Sequence, residues 1–370
     1  MGWLGVTDLD QGGSDLAGML QAQRREGGGD ALMLRGTLVV ELSIPDSRRP
    51  VPLLTFAQTG DWPINLHIQA VPGGGISFVL EQSGSLSHAV LNPSGSGRIG
   101  DVRLTYAWDS LAGYARLALE RADSDRVQIS VLPPPCPWRY QDLKTLMAPG
   151  PLRFTNKALT YMALSDVLEP VGPMPSLDPA TQVATPEGYR PVETLQRGDL
   201  VLSATGTSQQ PVLHVLHRQV PALGIFRPVT LRAPFFGLQQ DIRVSASQRL
   251  VLSGSDVDYL FGAPAVLVPA RHLLGTSLAT PGQGNGPDAG QYRMPTTRYT
   301  QLVLPGHAPL LAAGAVLESL YLGSLRRDRL RLKASQLAEL DRTTLPEHGP
   351  PRYPVLGPFD AAVLAEQRVA

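Results

Sequence analysis

The sequence predicts an all-β protein of two domains: an N-terminal β-sandwich or jelly roll, then a second β domain with short C-terminal helices. Its 370 residues include 37 glycines and 34 prolines spread among short apolar runs, a composition that favours turns and strands. Many of these runs alternate apolar with polar residues, as antiparallel strands with one buried face do. A chain of this length holds two domains of ordinary size, each able to bury a core without staples.

After a lead-in over residues 1–29, the span 30–132 carries seven candidate strands: Leu38–Ile44, Leu53–Phe56, Ile64–Ile68, Ile76–Leu80, Val102–Tyr106, Ala115–Leu119 and Val127–Val131. Turn clusters such as Pro72-Gly73-Gly74-Gly75 and Asn92-Pro93-Ser94-Gly95 separate them, and this rhythm reads as a sandwich or jelly roll. Val102-Arg-Leu-Thr-Tyr-Ala-Trp108-Asp109 followed by Gly113-Tyr-Ala-Arg-Leu-Ala-Leu119-Glu120 resembles the paired central strands of laminin-G or concanavalin-type jelly rolls. That resemblance implies a glycan or protein partner, with Trp62 and Trp108 as the aromatic rings that could stack on a sugar. The alternative for both is a place in the core. Asp61, Asp101 and Asp109 read as turn residues rather than calcium ligands, and no metal or cofactor is expected.

Residues 133–175 read as a proline-rich connection. Pro170, Pro173 and Pro175 disfavour helix and leave the Pro175–Ser176 junction extended. The single cysteine, Cys136, excludes an intramolecular disulfide framework and reads as an inert thiol in Pro133-Pro-Pro-Cys136-Pro-Trp138.

The second domain, 176–325, opens with turn chemistry. Thr185-Pro-Glu-Gly188 presets φ at proline and accepts positive φ at glycine, so a tight hairpin is expected between the run around Val183 and the residues Pro191 and Val192. Arg197-Gly198-Asp199 forms a second turn before the strand Leu200-Val201-Leu202. After residue 326 come short helical pieces, one over Lys333–Asp341 opening at Ser335 and one over Phe359–Val369, both expected to pack on the second domain.

Four blocks within this domain carry a second resemblance. They are Ser176 through Ser203, Asp241-Ile-Arg-Val-Ser245-Ala-Ser-Gln248-Arg249-Leu-Val-Leu252, Val266-Leu-Val-Pro-Ala-Arg-His272-Leu273, and His307-Ala-Pro-Leu-Leu-Ala-Ala-Gly314-Ala-Val-Leu-Glu318-Ser-Leu-Tyr321. In order and spacing they resemble the bacterial form of the hedgehog/intein (Hint) self-processing domain. The resemblance implies a β fold in which the first residue attacks the peptide bond before it. That residue is usually Cys; here Ser176 stands there. It also implies a Ser/Thr at 245 and, after two intervening residues, a His that handles the scissile nitrogen's proton; here Gln248 stands there.

The chemistry explains why these positions matter. A Cys of ordinary pKa has a few per cent thiolate at neutral pH, whereas a Ser hydroxyl depends on a neighbouring base. A carboxamide donates and accepts hydrogen bonds but does not titrate, and loss of a positioned acid–base group is worth about 100- to 10,000-fold in rate. Ser176 with Gln248 therefore points to a degenerate site. His272 and His307 are the remaining candidates for a base near the junction, each also readable as structural; Ser245 could bond the scissile carbonyl or satisfy a turn. His214 and His217, three apart on one strand, face opposite sides and do not share a metal. Glu318, in an apolar stretch, needs a partner such as Arg271 or Arg326.

Thirty-two basic and 32 acidic residues balance to zero, which leaves no electrostatic footprint for nucleic acid or an anionic membrane. No apolar run approaches a membrane span, and the start lacks a secretory signal. The chain is expected to be soluble, cytoplasmic at synthesis, and exported without a signal or packaged in a particle. No serine-hydrolase elbow, phosphate loop or nucleotide fingerprint occurs. Three functional classes follow: a degenerate Hint domain acting as a binding or assembly scaffold, an autoproteolytic Hint domain cleaving between Pro175 and Ser176, and a glycan-binding or attachment protein. The C-terminal end lacks the His-Asn pair of inteins, which disfavours splicing.

Overall fold

The computed structural model describes residues 2–92, 100–122, 124–204, 208–282 and 296–369. The turn expected at Asn92–Gly95 falls on residues 93–95, outside the described residues. The chain divides into two compact units, the first ending at Gly172 and the second beginning at Pro173. Both are built mainly of antiparallel strands.

The described residues of the first unit form a seven-stranded and a five-stranded sheet, with a two-stranded ribbon, Leu32–Met33 with Trp138–Arg139. The larger sheet runs in the order Val127–Leu132, Tyr114–Arg121, Asp101–Asp109, Arg35–Ser43, Leu159–Ser165, Trp3–Asp8 and Gly13–Asp15. The smaller runs Arg153–Thr155, Val51–Gln58, Ile64–Val71, Gly75–Gln82 and Ser85–Leu91. Leu38, Val40 and Leu104 from the first sheet meet Leu54, Leu66 and Phe78 from the second in one buried cluster.

All seven strands expected from alternation are present. Ser85–Leu91 is an additional one whose inward positions are Ser87, Ala89 and Leu91, while Leu86 and Val90 stay exposed. With Ser87 and Ala89 inside and Leu86 and Val90 outside, its sequence does not show the usual polarity of a half-buried strand. The compact unit also reaches beyond the expected span 30–132. Trp3–Asp8 pairs with Leu159–Ser165, and Leu159–Ser165 pairs with Arg35–Ser43, so segments expected as lead-in and connection supply interior strands. Leu159–Ser165 is buried at six of its seven positions, and a strand covered on both faces carries no alternation to read.

Trp108 is fully buried. Its ring stacks on Tyr106 at 5.5 Å and lies 6.1 Å from Trp138, while its indole N–H donates to the Met33 carbonyl at 3.2 Å. It is therefore core, and its candidacy as a sugar-stacking ring is corrected. Trp62, in the bend between Val51–Gln58 and Ile64–Val71, is half-buried and packs on the same cluster. Asp109 accepts the Ala112 N–H at 3.0 Å, as a turn residue does, and Asp101 takes the Ser43 hydroxyl. Cys136 is a free, partly exposed thiol.

In the second unit the expected hairpin forms between Gln182–Thr185 and Gly188–Pro191, Thr185 opposite Gly188, with Gly188 at φ +120°. These strands continue through Leu310–Ala312, Ala315–Leu317, Arg249–Ser253 and Ala265–Pro269 into a six-stranded sheet. A separate antiparallel ribbon joins His214–Pro221 to Thr296–Val303. Leu250, Leu302, Leu310 and Leu317 lie in the core, which the C-terminal helix Pro358–Val369 caps with Ala361, Leu364 and Ala365. The helix expected over 333–341 is not formed. A shorter one, Arg329–Ala334, is capped at its start by the Asp328 carboxylate, and Ser335 stands at its end instead. Its hydroxyl there accepts the Leu337 N–H and donates to the Leu332 carbonyl, a local alternative to helix that serine favours. Among the described residues no helix is long and apolar enough to cross a membrane.

Candidate functional site

Pro173 and Pro175 cannot donate to a ladder, and the chain after them enters the second unit as an extended segment. Leu177 is bridged to Val244 on one side and to Thr300 on the other. The Leu177 N–H donates to Thr300 at 3.1 Å, the Thr300 N–H returns to Leu177 at 2.8 Å, and on the opposite edge the Asp178 N–H donates to Arg243 at 3.0 Å. The Ser245 N–H reaches the Ser176 carbonyl at 2.7 Å. Asp178 then turns the chain: its carboxylate accepts the Ala180 N–H at 3.0 Å and meets Arg243 Nη2 at 2.6 Å. Ser176 is thereby held at the head of a wedge between Ile242–Ser245 and Thr296–Val303. Pro175 and Ser176 are both buried.

The turn after Ser245 places the next residue of the site. The Gln248 N–H donates to the Ser245 carbonyl at 3.0 Å, which brings the Gln248 side chain back to Ser176. Gln301, on the strand Thr296–Val303, completes a group of three. Its Nε2 donates to Ser176 Oγ at 3.0 Å and to Gln248 Oε1 at 3.2 Å, and the Ser176 hydroxyl donates to Gln248 Oε1. Ser176, Gln248 and Gln301 are 6, 3 and 1 % exposed, so water does not substitute for these partners.

The backbone fixes the direction of every bond in this group. Gln248 Nε2 faces two carbonyl oxygens, Arg249 O at 2.8 Å and Glu318 O at 3.1 Å. Carbonyls only accept, so the amide nitrogen must lie there and the amide oxygen must face Ser176. Gln301 Oε1 faces the Leu302 N–H at 3.1 Å, which only donates, so Gln301 presents its nitrogen to Ser176. Between a fixed donor and a fixed acceptor, the hydroxyl accepts from Gln301 and donates to Gln248. The network is neutral, and its direction is the same at any pH the fold survives.

A charged cluster lies next to this neutral one. Arg249 Nη1 pairs with Glu318 Oε2 at 3.3 Å, and His307 Nε2 approaches Glu318 Oε1 at 3.3 Å. The His307 ring stacks on His348 at 5.6 Å and tilts against Tyr321 at 4.8 Å. His348 Nδ1 accepts the Leu322 N–H at 3.1 Å, so its Nε2 carries the proton and donates to Leu304 O at 3.2 Å. Burial, with neighbouring His307 adding to it and the Leu304 carbonyl opposing it, holds His348 below the ordinary imidazole pKa. The partner of Glu318 is thus Arg249, not the expected Arg271 or Arg326; Arg326 pairs with Glu347 at 2.6 Å instead. Leu250 pairs with Leu317 across the sheet, which brings Arg249 beside Glu318.

The residues expected at the site separate accordingly. Ser176 and Gln248 meet. Ser245 borders them through its backbone, but its hydroxyl pairs with that of Ser247 at 2.8 Å rather than with a scissile carbonyl. His307 belongs to the Glu318 cluster. His272 Nδ1 lies 3.1 Å from the Leu356 carbonyl and its Nε2 accepts from Arg271 Nε at 3.2 Å, which ties the turn Ala270–Leu273 to the C-terminal segment. His217 bonds Thr300 Oγ1 at 2.9 Å. Among the described residues no group of three or more His, Cys, Asp and Glu side chains is placed to hold a metal. Gln301 was not anticipated. A glutamine in Thr-Thr-Arg-Tyr-Thr-Gln301-Leu-Val reads as the polar phase of a strand, and only the pairing of that strand with Leu177 reveals its target.

Residues 175–324 match the Hint domain family. Among solved structures, the gp41-1 intein is similar at 15% identity over 39% of this chain and 98% of that one, with a TM-score of 0.24. The bacterial intein-like domain from Clostridium thermocellum is similar at 12% identity over 40% and 99%, with a TM-score of 0.27. The Ruminococcus gnavus IT-sialidase CBM40 is similar at 12% identity over 43% of this chain and 72% of that one, with a TM-score of 0.25. No match was found among curated proteins.

Proposed function

We propose, from the premise that residues 175–324 are a Hint domain, that this domain is a retained scaffold whose self-processing chemistry has been lost, and that the protein acts by binding or assembly. The observation that carries the reading is the Ser176 hydroxyl held between two carboxamides. For Ser176 Oγ to attack the Pro175 carbonyl, its proton must go to a base and the Ser176 nitrogen must gain one as the amide becomes an ester. Gln248 accepts the hydrogen bond but cannot take the proton, and Gln301 offers only N–H. In the adjoining cluster, Glu318 is paired with Arg249 and lies beside His307, and neither Glu318 nor His307 bonds the Ser176 hydroxyl. An unprocessed chain keeps the first unit joined to the second, and a full-length protein is what a scaffold requires.

The test restores both missing parts. The Ser176→Cys/Gln248→His double variant supplies a thiol and an imidazole, and is expected to cleave after Pro175 at least about 100-fold faster than the unaltered chain. An unaltered chain that cleaves at a comparable rate overturns the proposal and favours the autoproteolytic reading.

A further inference from the structure

We propose that Gln301 is a positioning residue that restrains the Ser176 hydroxyl, a second barrier to processing independent of the missing base at Gln248. This rests on the reading of a quiescent Hint site and adds to it a residue with a distinct part. Gln301 Nε2 lies 3.0 Å from Ser176 Oγ and takes one of the two lone pairs of that oxygen. The same nitrogen lies 3.2 Å from Gln248 Oε1, the atom that takes the hydroxyl proton. The oxygen therefore has its proton and one lone pair committed to opposite partners, which leaves the hydroxyl a single rotational setting.

Two features make this restraint firm. Gln301 is anchored by the Leu302 N–H on its own strand at 3.1 Å, so its amide cannot turn to offer oxygen instead. It is also 1 % exposed, and in so dry a site a donated hydrogen bond is broken only at the full cost of leaving a polar group unsatisfied. A donor on the attacking oxygen draws electron density away from it, and attack at the Pro175 carbonyl carbon requires that density. The reaction held back is an isomerisation: the Oγ–C bond forms, the C–N bond of the Pro175–Ser176 peptide breaks, the hydroxyl proton leaves to a base, and the Ser176 nitrogen gains a proton.

The experiment compares Gln248→His with Gln248→His/Gln301→Met, both retaining Ser176, in the full chain. Ester formation is trapped with hydroxylamine and read by intact mass, and circular dichroism confirms the fold. Gln301→Leu in the same Gln248→His background is the second variant; like methionine it removes the donor from Ser176 without adding a titratable group. Both Gln301 variants are expected to raise the rate of cleavage after Pro175 at least about tenfold over Gln248→His alone. A merely structural role for Gln301 would slow cleavage or leave it unchanged. Equal rates, including no cleavage in any of the three, overturn the restraint, as does a slower rate in a folded Gln301 variant. Failure of the quiescent-site reading is separate, because it is seen as cleavage of the unaltered chain run beside them.

Discussion

Two polar clusters lie side by side in the second unit and differ in one respect. Ser176, Gln248 and Gln301 form a neutral network, whereas Arg249 and Glu318 form an ion pair with His307 beside it. They meet at adjacent residues: Gln248 faces Ser176 and Arg249 faces Glu318. Even the link between them is neutral, the Gln248 amide donating to the Glu318 backbone carbonyl at 3.1 Å while the Glu318 carboxylate pairs with Arg249 and lies beside His307. Titratable groups are thus present within the same core but committed to stabilising one another. The lesson is that a site is judged by what touches the reacting atom, not by which residue types are nearby.

The largest effect expected from breaking this contrast comes from the charged side. Glu318→Ala leaves the Arg249 guanidinium, only 10 % exposed, without its carboxylate, and should cost about 3 kcal/mol or more in urea unfolding. The Arg249→Met/Glu318→Leu double variant should recover most of that loss, because removing both charges also removes their desolvation cost. The neutral side should cost less. Gln248→Leu removes the side-chain donor to the Glu318 carbonyl and the acceptor of the Ser176 hydroxyl, while the Arg249 carbonyl keeps the Glu318 N–H; it should cost about 2 kcal/mol, and its penalty should not change with pH.

A pH titration separates the clusters further. Folding disfavours protonation of His348 through burial, so below the unfolded imidazole pKa of about 6.5 the unfolded chain binds more protons. Its contribution is intact above that pH and declines as pH falls toward the lowered folded value. His214 and His217 are lowered in the same direction, also chiefly by burial. Thermal melting should therefore weaken between neutral and mildly acidic pH, and more shallowly in His348→Gln, which can keep both backbone bonds. The smallest effect marks the floor of the comparison: Glu193 and Arg298 approach only to 4.0 Å with both side chains exposed, and Glu193→Gln should change stability by less than about 0.5 kcal/mol.

What could be read from the sequence followed the range of the interactions. The hairpin at Thr185–Gly188 and the turn at Gly198, φ +95°, were legible because their causes are local. The resemblance drew Ser176 and Gln248 together in the reading, and the two side chains do meet although 72 residues separate them. Leu159–Ser165 was not legible, since burial on both faces erases alternation, and neither was the Arg249 partner of Glu318, 69 residues away and set by strand register. Gln301 was hidden for the same reason, 125 residues from the hydroxyl it holds. Trp108 marks the opposite limit: an aromatic on a sandwich strand has the same sequence signature whether it faces a ligand or the core.

Intact-mass measurement of the freshly purified, unaltered chain, before and after overnight incubation with hydroxylamine, tests the central claim most directly. Hydroxylamine attacks an ester at Ser176 and spares amides. A single full-length mass under both conditions is the result this account predicts; fragments ending at Pro175 and beginning at Ser176 would contradict it.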